Sequence, residues 1–286
     1  MLHQNPDTFC DIVLGKKLKR IRVIISNIPN HYDQFIKYKT DSQGNKIPNK
    51  PKYVNALGQY WVRTLNPPKK ELKQIQKKIN KYLVQNIQLP RYAHGAVKGL
   101  DNIKNAKVHK GQKYVFQTDI RDFFPSISYT KVYDALIISG FSPDVASLIT
   151  KLTTLNHHLP QGAPTSPFLA NLVFTSTGNK IQKIADMHNL RFTTFVDDVT
   201  LSSQTDFKHI IPQIIGIIKN SGYKISHGKT SYKSGITEIT GVRLPNNSMT
   251  ITNKFREKIE NTVSLSEASL QGMINYKDRI KQLSQK

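Results

Sequence analysis

Two adjacent aspartates, Asp197 and Asp198, interrupt a run of residues that otherwise favours extended structure. The run is Thr194-Phe195-Val196-Asp197-Asp198-Val199-Thr200-Leu201-Ser202. Phe, Val, Thr and Leu are common in strands and Asp is common in tight turns, so the pattern predicts a hairpin with both carboxylates at its two-residue turn. Like charges side by side repel unless a cation lies near them, and carboxylate oxygens suit Mg²⁺. The pair is therefore either a metal site or an ordinary Asp-Asp surface turn.

A third carboxylate and a loop of small residues lie upstream of this pair. Asp119 ends the apolar run that begins at Tyr114, and Phe123-Phe124-Pro125 follows it. Between the two carboxylate segments, the loop Leu159-Pro160-Gln161-Gly162-Ala163-Pro164-Thr165-Ser166-Pro167 leads into apolar residues 168–174. We interpret it as a close-approach loop that opens a helix.

A strand-end aspartate, a Pro-Gln-Gly loop with a helix and an aromatic-x-Asp-Asp hairpin, in this order, resemble the palm of reverse transcriptases. The fingers motif of that family is similar to Tyr60-Trp61-Val62-Arg63-Thr64-Leu65-Asn66-Pro67, and its Lys-Thr motif to Gly222-Tyr223-Lys224-Ile225-Ser226-His227-Gly228-Lys229-Thr230. Two segments further resemble bacterial retron reverse transcriptases: Asn105-Ala106-Lys107-Val108-His109, and Ile239-Thr240-Gly241 in place of Val-Thr-Gly. The hairpin departs from the family, which usually has Tyr-Ala before the two aspartates.

The resemblance implies a role for each candidate site residue. Two Mg²⁺ ions, with Mn²⁺ as a substitute, would be held by Asp119 and Asp197, with Asp198 and the backbone carbonyl of Ile120 as further ligands. Lys229 would protonate the leaving pyrophosphate. Arg63 would contact the triphosphate of the incoming nucleotide, Gln161 would position that nucleotide, and Phe124 would close over its sugar. Asn105 and His109 would serve recognition of the cognate RNA.

Each of these roles has a simpler alternative. Phe124 is otherwise an ordinary core residue, and Lys229 is otherwise a solvent-facing lysine. Asn105 and His109 are otherwise parts of a local turn held by side-chain hydrogen bonds. Asp122 lies three residues after Asp119, and we assign it a pairing or capping role rather than a metal ligand.

The charge of the chain favours a polyanionic partner. Lys and Arg number 42 against 19 acidic residues, which gives a formal net charge of +23. Residues 1–113 carry 23 basic and 6 acidic side chains, whereas residues 114–286 carry 19 and 13. The partner is a phosphate backbone or an anionic membrane, and the excess lies before the carboxylate segments. We therefore predict that the N-terminal part grips the nucleic acid.

The patterns predict an α+β fold, and the resemblance implies a right-hand polymerase: fingers, a palm with an antiparallel sheet packed on helices, and a small helical thumb. We expect fingers over 1–113, palm over 114–235 with fingers residues interleaved around 140–160, and the palm end with the thumb over 236–286. Helices are predicted from Pro67-Pro68 through Leu83, from Ser142 to about Thr154, from Asp206 to Ser221, and around 255–265 and 270–283. Residues 30–51 are predicted to form a long loop or a hairpin.

Targeting signals and cysteine chemistry are not expected. No apolar run approaches the roughly 18 residues that cross a bilayer, and the first residues do not form a signal peptide. Cys10 is the single cysteine, so no internal disulfide can form. We expect a bacterial cytoplasmic protein that does not associate with membranes.

Three functional hypotheses remain at this stage. The first is a retron-type RNA-directed DNA polymerase, which by resemblance copies its own structured non-coding RNA from dNTPs into branched RNA-linked DNA, passes through an RNA–DNA hybrid and acts in antiphage defence with a separate effector protein. The second is another bacterial defence reverse transcriptase with a different primer, and the third is a non-catalytic RNA-binding scaffold. The three aspartates at positions 119, 197 and 198 favour catalysis.

Overall fold

The computed structural model describes residues 4–38, 62–260 and 266–285. They form two compact units, one of Met1–Gln88 with Phe124–Val173 and one of Leu89–Phe123 with Phe174–Lys286. The helices are α1 (Pro6–Thr8), α2 (Leu18–Ser26), α3 (Lys70–Asn86), α4 (Asn102–Val108), α5 (Tyr129–Ile138), α6 (Pro143–Thr153), α7 (Ser166–Met187), α8 (Ile211–Asn220), α9 (Asn253–Glu260) and α10 (Glu267–Gln285). The strands are β1 (Phe35–Tyr38), β2 (Val62–Leu65), β3 (Tyr114–Arg121), β4 (Arg191–Phe195), β5 (Asp198–Ser203), β6 (Lys224–Ile225), β7 (Ser231–Ser234), β8 (Thr237–Ile239), β9 (Val242–Leu244) and β10 (Thr250–Ile251).

Helix α3 forms much of the core of the first unit. Its apolar stripe, Leu72, Ile75, Ile79 and Leu83, is fully buried, which confirms the predicted helical face. Gln76 is buried on the same helix, and its side-chain amide donates to the Tyr32 hydroxyl at 2.7 Å and to the Leu152 carbonyl at 2.8 Å. These bonds satisfy a polar donor that would otherwise be costly in the core.

The first unit also contains an antiparallel strand pair and a capped helix. Strands β1 and β2 pair from Phe35 opposite Leu65 to Tyr38 opposite Val62, so the part of the predicted segment that is described pairs with residues beyond that segment. The intervening residues 39–61, with Tyr60 and Trp61, lie outside the described residues. Helix α6 begins and ends as predicted, with the Ser142 side chain accepting from the backbone N–H of Val145.

An antiparallel sheet organises the second unit. Its strand order is β4-β5-β3-β6, and β7 also pairs with β3. Helix α8 was predicted to begin at Asp206 but begins at Ile211, after a 3₁₀ turn over Lys208–Ile210. The Asp206 carboxylate accepts from the backbone N–H of Lys208 at 2.8 Å just before that turn, whose N-cap is Phe207, and a proline in the first turn then starts the α-helix.

A second sheet, in the order β10-β9-β8, packs with α4 and α10. Its core includes Ile103, Val242, Ile251 and Ile280. Residues 89–113, which the sequence places with the fingers, belong to this second unit because α4 packs against β4 and β9. The division into fingers, palm and thumb remains a prediction. Helices α9 and α10 form near their expected positions, residues 261–265 lie outside the described part, and no described helix has the length and apolarity to cross a membrane.

Candidate active site

The two adjacent aspartates lie at the β4–β5 hairpin, but the turn is one residue earlier than predicted. Val196 and Asp197 form the turn, while Asp198 is the first residue of β5 and pairs with Phe195. Val196 has a φ of +59°, a left-handed conformation that β-branched residues rarely adopt. Only Asp197 of the two aspartates therefore lies in the turn, and Asp198 lies in the sheet.

The backbone of residues 92–95 forms hydrogen bonds with strand β4 of this hairpin. The Thr194 N–H donates to the Tyr92 carbonyl at 2.7 Å, and the Thr194 carbonyl accepts from the His94 N–H at 2.8 Å. Ala93 forms a parallel bridge with Thr194. The segment 92–95 therefore extends the sheet beside β4, a role that no sequence pattern indicated.

Strand β3 brings the third carboxylate to the same place. Asp119 pairs directly with Asp198 in the β3–β5 register, and the Ile120 N–H donates to the Asp197 carbonyl at 2.9 Å. The Asp119 side chain is buried, with 6% of its surface exposed. The structure thus brings together Asp119, Ile120, Asp197 and Asp198, as the sequence predicted.

A short loop after β6 supplies the partners of the Asp119 carboxylate. Ser226 Oγ donates to Asp119 Oδ1 at 2.5 Å, and Lys229 Nζ donates to Asp119 Oδ2. The Ser226 N–H also donates to the Asp119 carbonyl at 2.8 Å, and the Thr230 hydroxyl lies 2.8 Å from that of Thr118. The Lys-Thr motif predicts Lys229 at the site, whereas no sequence pattern indicates Ser226, because a serine three residues before a lysine carries no distinctive signal.

The electrostatics of the site favour a bound cation. Burial, together with the neighbouring carboxylates of Asp197 and Asp119, raises the pKa of Asp198 to about 6, and Lys229 opposes this shift. Like charges placed opposite each other on paired strands destabilise a sheet. A divalent cation would relieve that repulsion, and a donor set of carboxylate oxygens fits a hard ion such as Mg²⁺.

The arrangement of side chains is nevertheless not a ready coordination shell. Among the described residues, no group of three or more His, Cys, Asp or Glu side chains could hold a metal ion as they stand. The Asp119 carboxylate is bonded to Ser226 and Lys229 instead. Asp122 is not part of this cluster, because it is exposed and its carboxylate lies 3.4 Å from Arg121 Nε, which confirms the predicted pairing role.

The predicted nucleotide-binding residues belong to the first unit. The Gln161 carbonyl accepts from the Asn66 N–H at 2.7 Å, so the Pro-Gln-Gly loop lies against the chain that follows β2. The Ser166 hydroxyl donates to the Pro160 carbonyl at 2.7 Å and closes the loop at the start of α7. Arg63 is exposed on β2, opposite Lys37.

Phe124 is half-buried and lines a cavity of about 320 Å³. Lys73 and Lys77 of α3 line the same cavity, together with loop residues between 162 and 167. By contrast, Phe123 is buried in the second unit against Phe174 and Tyr223. The two adjacent aromatics therefore occupy different environments, and the roles of Arg63, Gln161 and Phe124 stay predictions.

Asn105 and His109 are buried rather than available to a ligand. Asn105 is 1% exposed and His109 is 0% exposed. His109 Nδ1 lies 2.6 Å from Ser202 Oγ and Nε2 lies 2.8 Å from Thr193 Oγ1. Direct contact with RNA requires solvent access that neither side chain has, so as arranged they hold α4 on the sheet instead.

The two retron-like segments contact each other. Asn105 Nδ2 donates to Thr240 Oγ1 at 3.3 Å, and that hydroxyl donates to the Asn102 carbonyl at 3.0 Å. The Asn102 side-chain amide donates to the Thr240 carbonyl at 3.0 Å. The segment 105–109 and the turn at Thr240 are thus joined by hydrogen bonds.

Comparisons with known proteins agree with this geometry. Residues 48–257 match the family model described as reverse transcriptase (RNA-dependent DNA polymerase). Because this match covers well over half of the sequence, the chain belongs to the reverse transcriptase family. The fold resembles that of apo telomerase from Candida tropicalis truncated from its C-terminal domain, with 9% identity, a TM-score of 0.50, and coverage of 80% of this chain and 58% of that one. This likeness confirms the α+β polymerase fold.

Curated relatives confirm the narrower resemblance to bacterial retron reverse transcriptases. The retron Se72 reverse transcriptase of Salmonella heidelberg is 33% identical over 225 residues, which cover 77% of this chain and 55% of the relative. The retron Ec86 reverse transcriptase of Escherichia coli is 32% identical over 171 residues, which cover 59% of this chain and 53% of the relative. The chain spans about half the length of these relatives.

Proposed function

We propose that the protein is a retron-type RNA-directed DNA polymerase that copies its structured non-coding RNA into branched, RNA-linked single-stranded DNA for antiphage defence, with a separate effector protein. This proposal rests on one observation. Asp119, Asp197 and Asp198 lie together where strand β3 pairs with the β4–β5 hairpin. Membership of the reverse transcriptase family supports the polymerase activity, and the similarity to retron relatives supports the substrate.

The carboxylates would hold the divalent ions of nucleotidyl transfer. Two Mg²⁺ ions, for which Mn²⁺ can substitute, supply charge stabilisation of the attacking and leaving oxygens when bound. Asp119 and Asp197 are assigned as shared ligands, with Asp198 and the Ile120 carbonyl as supporting ones. The raised pKa of Asp198 gives the site a group whose ionised form is stabilised by a bound cation.

Lys229 lies beside these carboxylates. Its ammonium neutralises Asp119 in the structure, and its side chain is 53% exposed. A cation that is both close to the carboxylates and accessible is suited to protonate a leaving pyrophosphate. Ser226 donates to the other oxygen of the Asp119 carboxylate and so fixes the orientation of that carboxylate. This bond limits which lone pairs of the carboxylate remain for a ligand.

Nucleotide selection is assigned to the first unit. The planar guanidinium of Arg63 suits triphosphate oxygens, Gln161 would position the incoming nucleotide, and the Phe124 ring would exclude a ribose 2′-hydroxyl. Residues 1–113 with those around 140–160 are assigned as fingers, 114–235 as palm and 236–286 as the palm end with the thumb. The basic excess over residues 1–113 would grip the phosphates of the template.

The proposal is tested by the nucleic acid that copurifies with the protein. Sequencing of this nucleic acid without prior debranching or RNase treatment should find single-stranded DNA joined through a guanosine 2′-hydroxyl to a structured RNA, and the purified protein should extend a DNA primer on an RNA template with dNTPs and Mg²⁺. Phe195-Val196, which replaces the usual Tyr-Ala, favours a second candidate, a defence reverse transcriptase with another primer. DNA attached to a protein hydroxyl would support that candidate and contradict retron-type priming.

A further inference from the structure

A polar cavity of about 510 Å³ lies in the second unit, where β3 begins. Its cations are Lys110, Lys113 and Arg191, and its side-chain amides include Gln204, Asn246 and Asn247. None of the residues that line it is acidic. Such a lining of cations and amides, with no carboxylate, is complementary to an anion that also carries hydroxyl groups.

Hydrogen bonds fix the walls of this cavity in place. Arg191 Nη1 donates to the Val108 carbonyl at 2.6 Å and to the Lys110 carbonyl at 3.0 Å. The Gln204 side chain donates to the Gly111 carbonyl, and the Gly235 N–H donates to the Lys113 carbonyl at 2.8 Å. These bonds use Arg191 Nη1 and the Gln204 amide nitrogen, so the other guanidinium nitrogens of Arg191 and the Lys113 ammonium are the charged donors left for a ligand.

Asn247 approaches the turn at Gly111 closely. Gly111 has a φ of +77°, and a Cβ at this position would lie 2.8 Å from Asn247 Oδ1. The lack of a side chain at Gly111 therefore leaves room for the Asn247 amide at the cavity. The amide is exposed, as are Lys113 and Arg191, so a long polyanion can reach all three.

The cavity is separate from the carboxylate cluster. Tyr114, next to the cavity, and Asp119 occupy opposite ends of one strand, and five residues of extended chain span about 17 Å. We propose that this cavity binds backbone phosphates and adjoining ribose hydroxyls of an RNA held outside the polymerisation site. The inference rests on the proposed function in one respect, that RNA is the natural partner.

The favoured ligand is RNA rather than a small phosphate compound. Exposed cations at the rim suit a polymer whose phosphates follow one another, whereas a small anion is usually enclosed by its donors. The amides can pair with 2′-hydroxyls, the groups that distinguish RNA from DNA at a given site. A long RNA thus satisfies both kinds of lining group.

Charge reversal at Lys113 tests the electrostatic part. Lys113→Glu should weaken binding of a labelled RNA hairpin by about five- to tenfold and lower the slope of log affinity against log salt by about one, because one phosphate contact is lost. Lys183→Glu, on an exposed site of α7, is the matched control and should leave the slope unchanged. Equal affinities and slopes for the two variants would overturn the proposal.

Asn247→Ala tests the sugar part. It should weaken binding of the RNA hairpin at least about threefold more than binding of a DNA hairpin of the same sequence. An equal loss for both hairpins would overturn the assignment to RNA, as would a loss of pyrophosphate binding with no loss of hairpin binding in Lys113→Glu. Melting temperatures should match those of the wild type.

The failure of this inference and of the proposed function can be told apart. These binding measurements need no DNA synthesis, so they can be interpreted whether or not the protein extends a primer. A wild-type protein that binds the hairpin through Lys113 but never extends a primer would contradict the polymerase and leave the cavity assignment standing.

Discussion

Gly95 lies directly against the turn residue Val196. A Cβ on Gly95 would be 2.4 Å from the backbone nitrogen of Val196 and 2.7 Å from its Cγ2, and real Cβ atoms do not approach so closely. The backbone of segment 92–95 therefore supports the hairpin turn at a distance that only glycine permits. Since the nearest atom belongs to the backbone, a rotamer change of Val196 cannot make room.

Gly95→Ala should displace the turn and with it Asp197. We expect kcat for primer extension to fall at least about tenfold, equivalent to roughly 1.4 kcal/mol of transition-state stabilisation, with little change in RNA affinity. Gly216→Ala is the matched control, because no atom lies within 4 Å of a Cβ there and the residue is in α8. Normal kcat in Gly95→Ala would show that the contact does not position the site.

Burial of His109 predicts a particular dependence of stability on pH. Desolvation first, and then the charges of Arg191 and His94, lower the pKa of His109 to about 3, below the value of about 6.5 in an unfolded chain. Between these values the unfolded state binds more protons, so the free energy of unfolding should fall as the pH drops from about 6.5 towards 3, by at most about 1.4 kcal/mol per pH unit from this group.

The difference in free energy of unfolding between wild type and His109→Gln isolates the effect of His109. Denaturant unfolding of wild type and His109→Gln should converge at low pH, because the variant lacks the titrating group. His188→Gln, at an exposed histidine of the same unit, should keep the wild-type pH dependence. Parallel curves for wild type and His109→Gln would contradict a neutral buried imidazole.

Phe124 and Phe123 form a matched pair for testing sugar discrimination. Phe124 is half-buried beside a cavity, and Phe124→Ala should raise the efficiency of GTP relative to dGTP incorporation at least about tenfold, or roughly 1.4 kcal/mol. Phe123 is 3% exposed, and Phe123→Ala should instead destabilise the fold by about 3–5 kcal/mol. Single-nucleotide kinetics and thermal melts distinguish them, and an unchanged sugar preference in folded Phe124→Ala would remove that residue from the site.

The exposed lysines of α3 should contribute more to RNA binding than those of α10. Replacing Lys73 and Lys77 together with alanine should lower the salt slope of RNA binding by about one to two, since each lost phosphate contact contributes about 0.7–0.9. The control pair is Lys277 and Lys281, which are equally exposed on α10. Equal losses in the two double variants would refute the assignment of the grip to the fingers.

Much of the architecture was predictable because local patterns and the fold agree. The stripe of α3 and the Ser142-Pro143 start of α6 follow from periodicity and capping, which act within a few residues. Helix α8 starts later than the sequence predicts because Asp206 bonds the N–H of the first residue of a 3₁₀ turn that precedes the helix. The hairpin turn was displaced by one residue because Val196 takes a left-handed conformation that its own preference disfavours.

The least predictable contacts join residues that are far apart in sequence. Ser226 reaches Asp119 across 107 positions, and His109 reaches Ser202 across 93. Neither residue type signals such a partner, because serine and histidine accept many environments. The resemblance located Asp119, Asp197 and Asp198, whereas only the folded chain identifies Gly95 and Ser226 as their neighbours.

We propose that the three clustered carboxylates perform RNA-templated DNA synthesis. The most direct measurement compares wild type with the double variant Asp197→Asn and Asp198→Asn in two assays on the same preparations, Mg²⁺-dependent primer extension on an RNA template and gel-shift binding of that template. We predict that dNTP incorporation is abolished while RNA affinity is largely kept, because the metal-binding charge is removed and the basic surface is not. Near-normal synthesis by the double variant would contradict it.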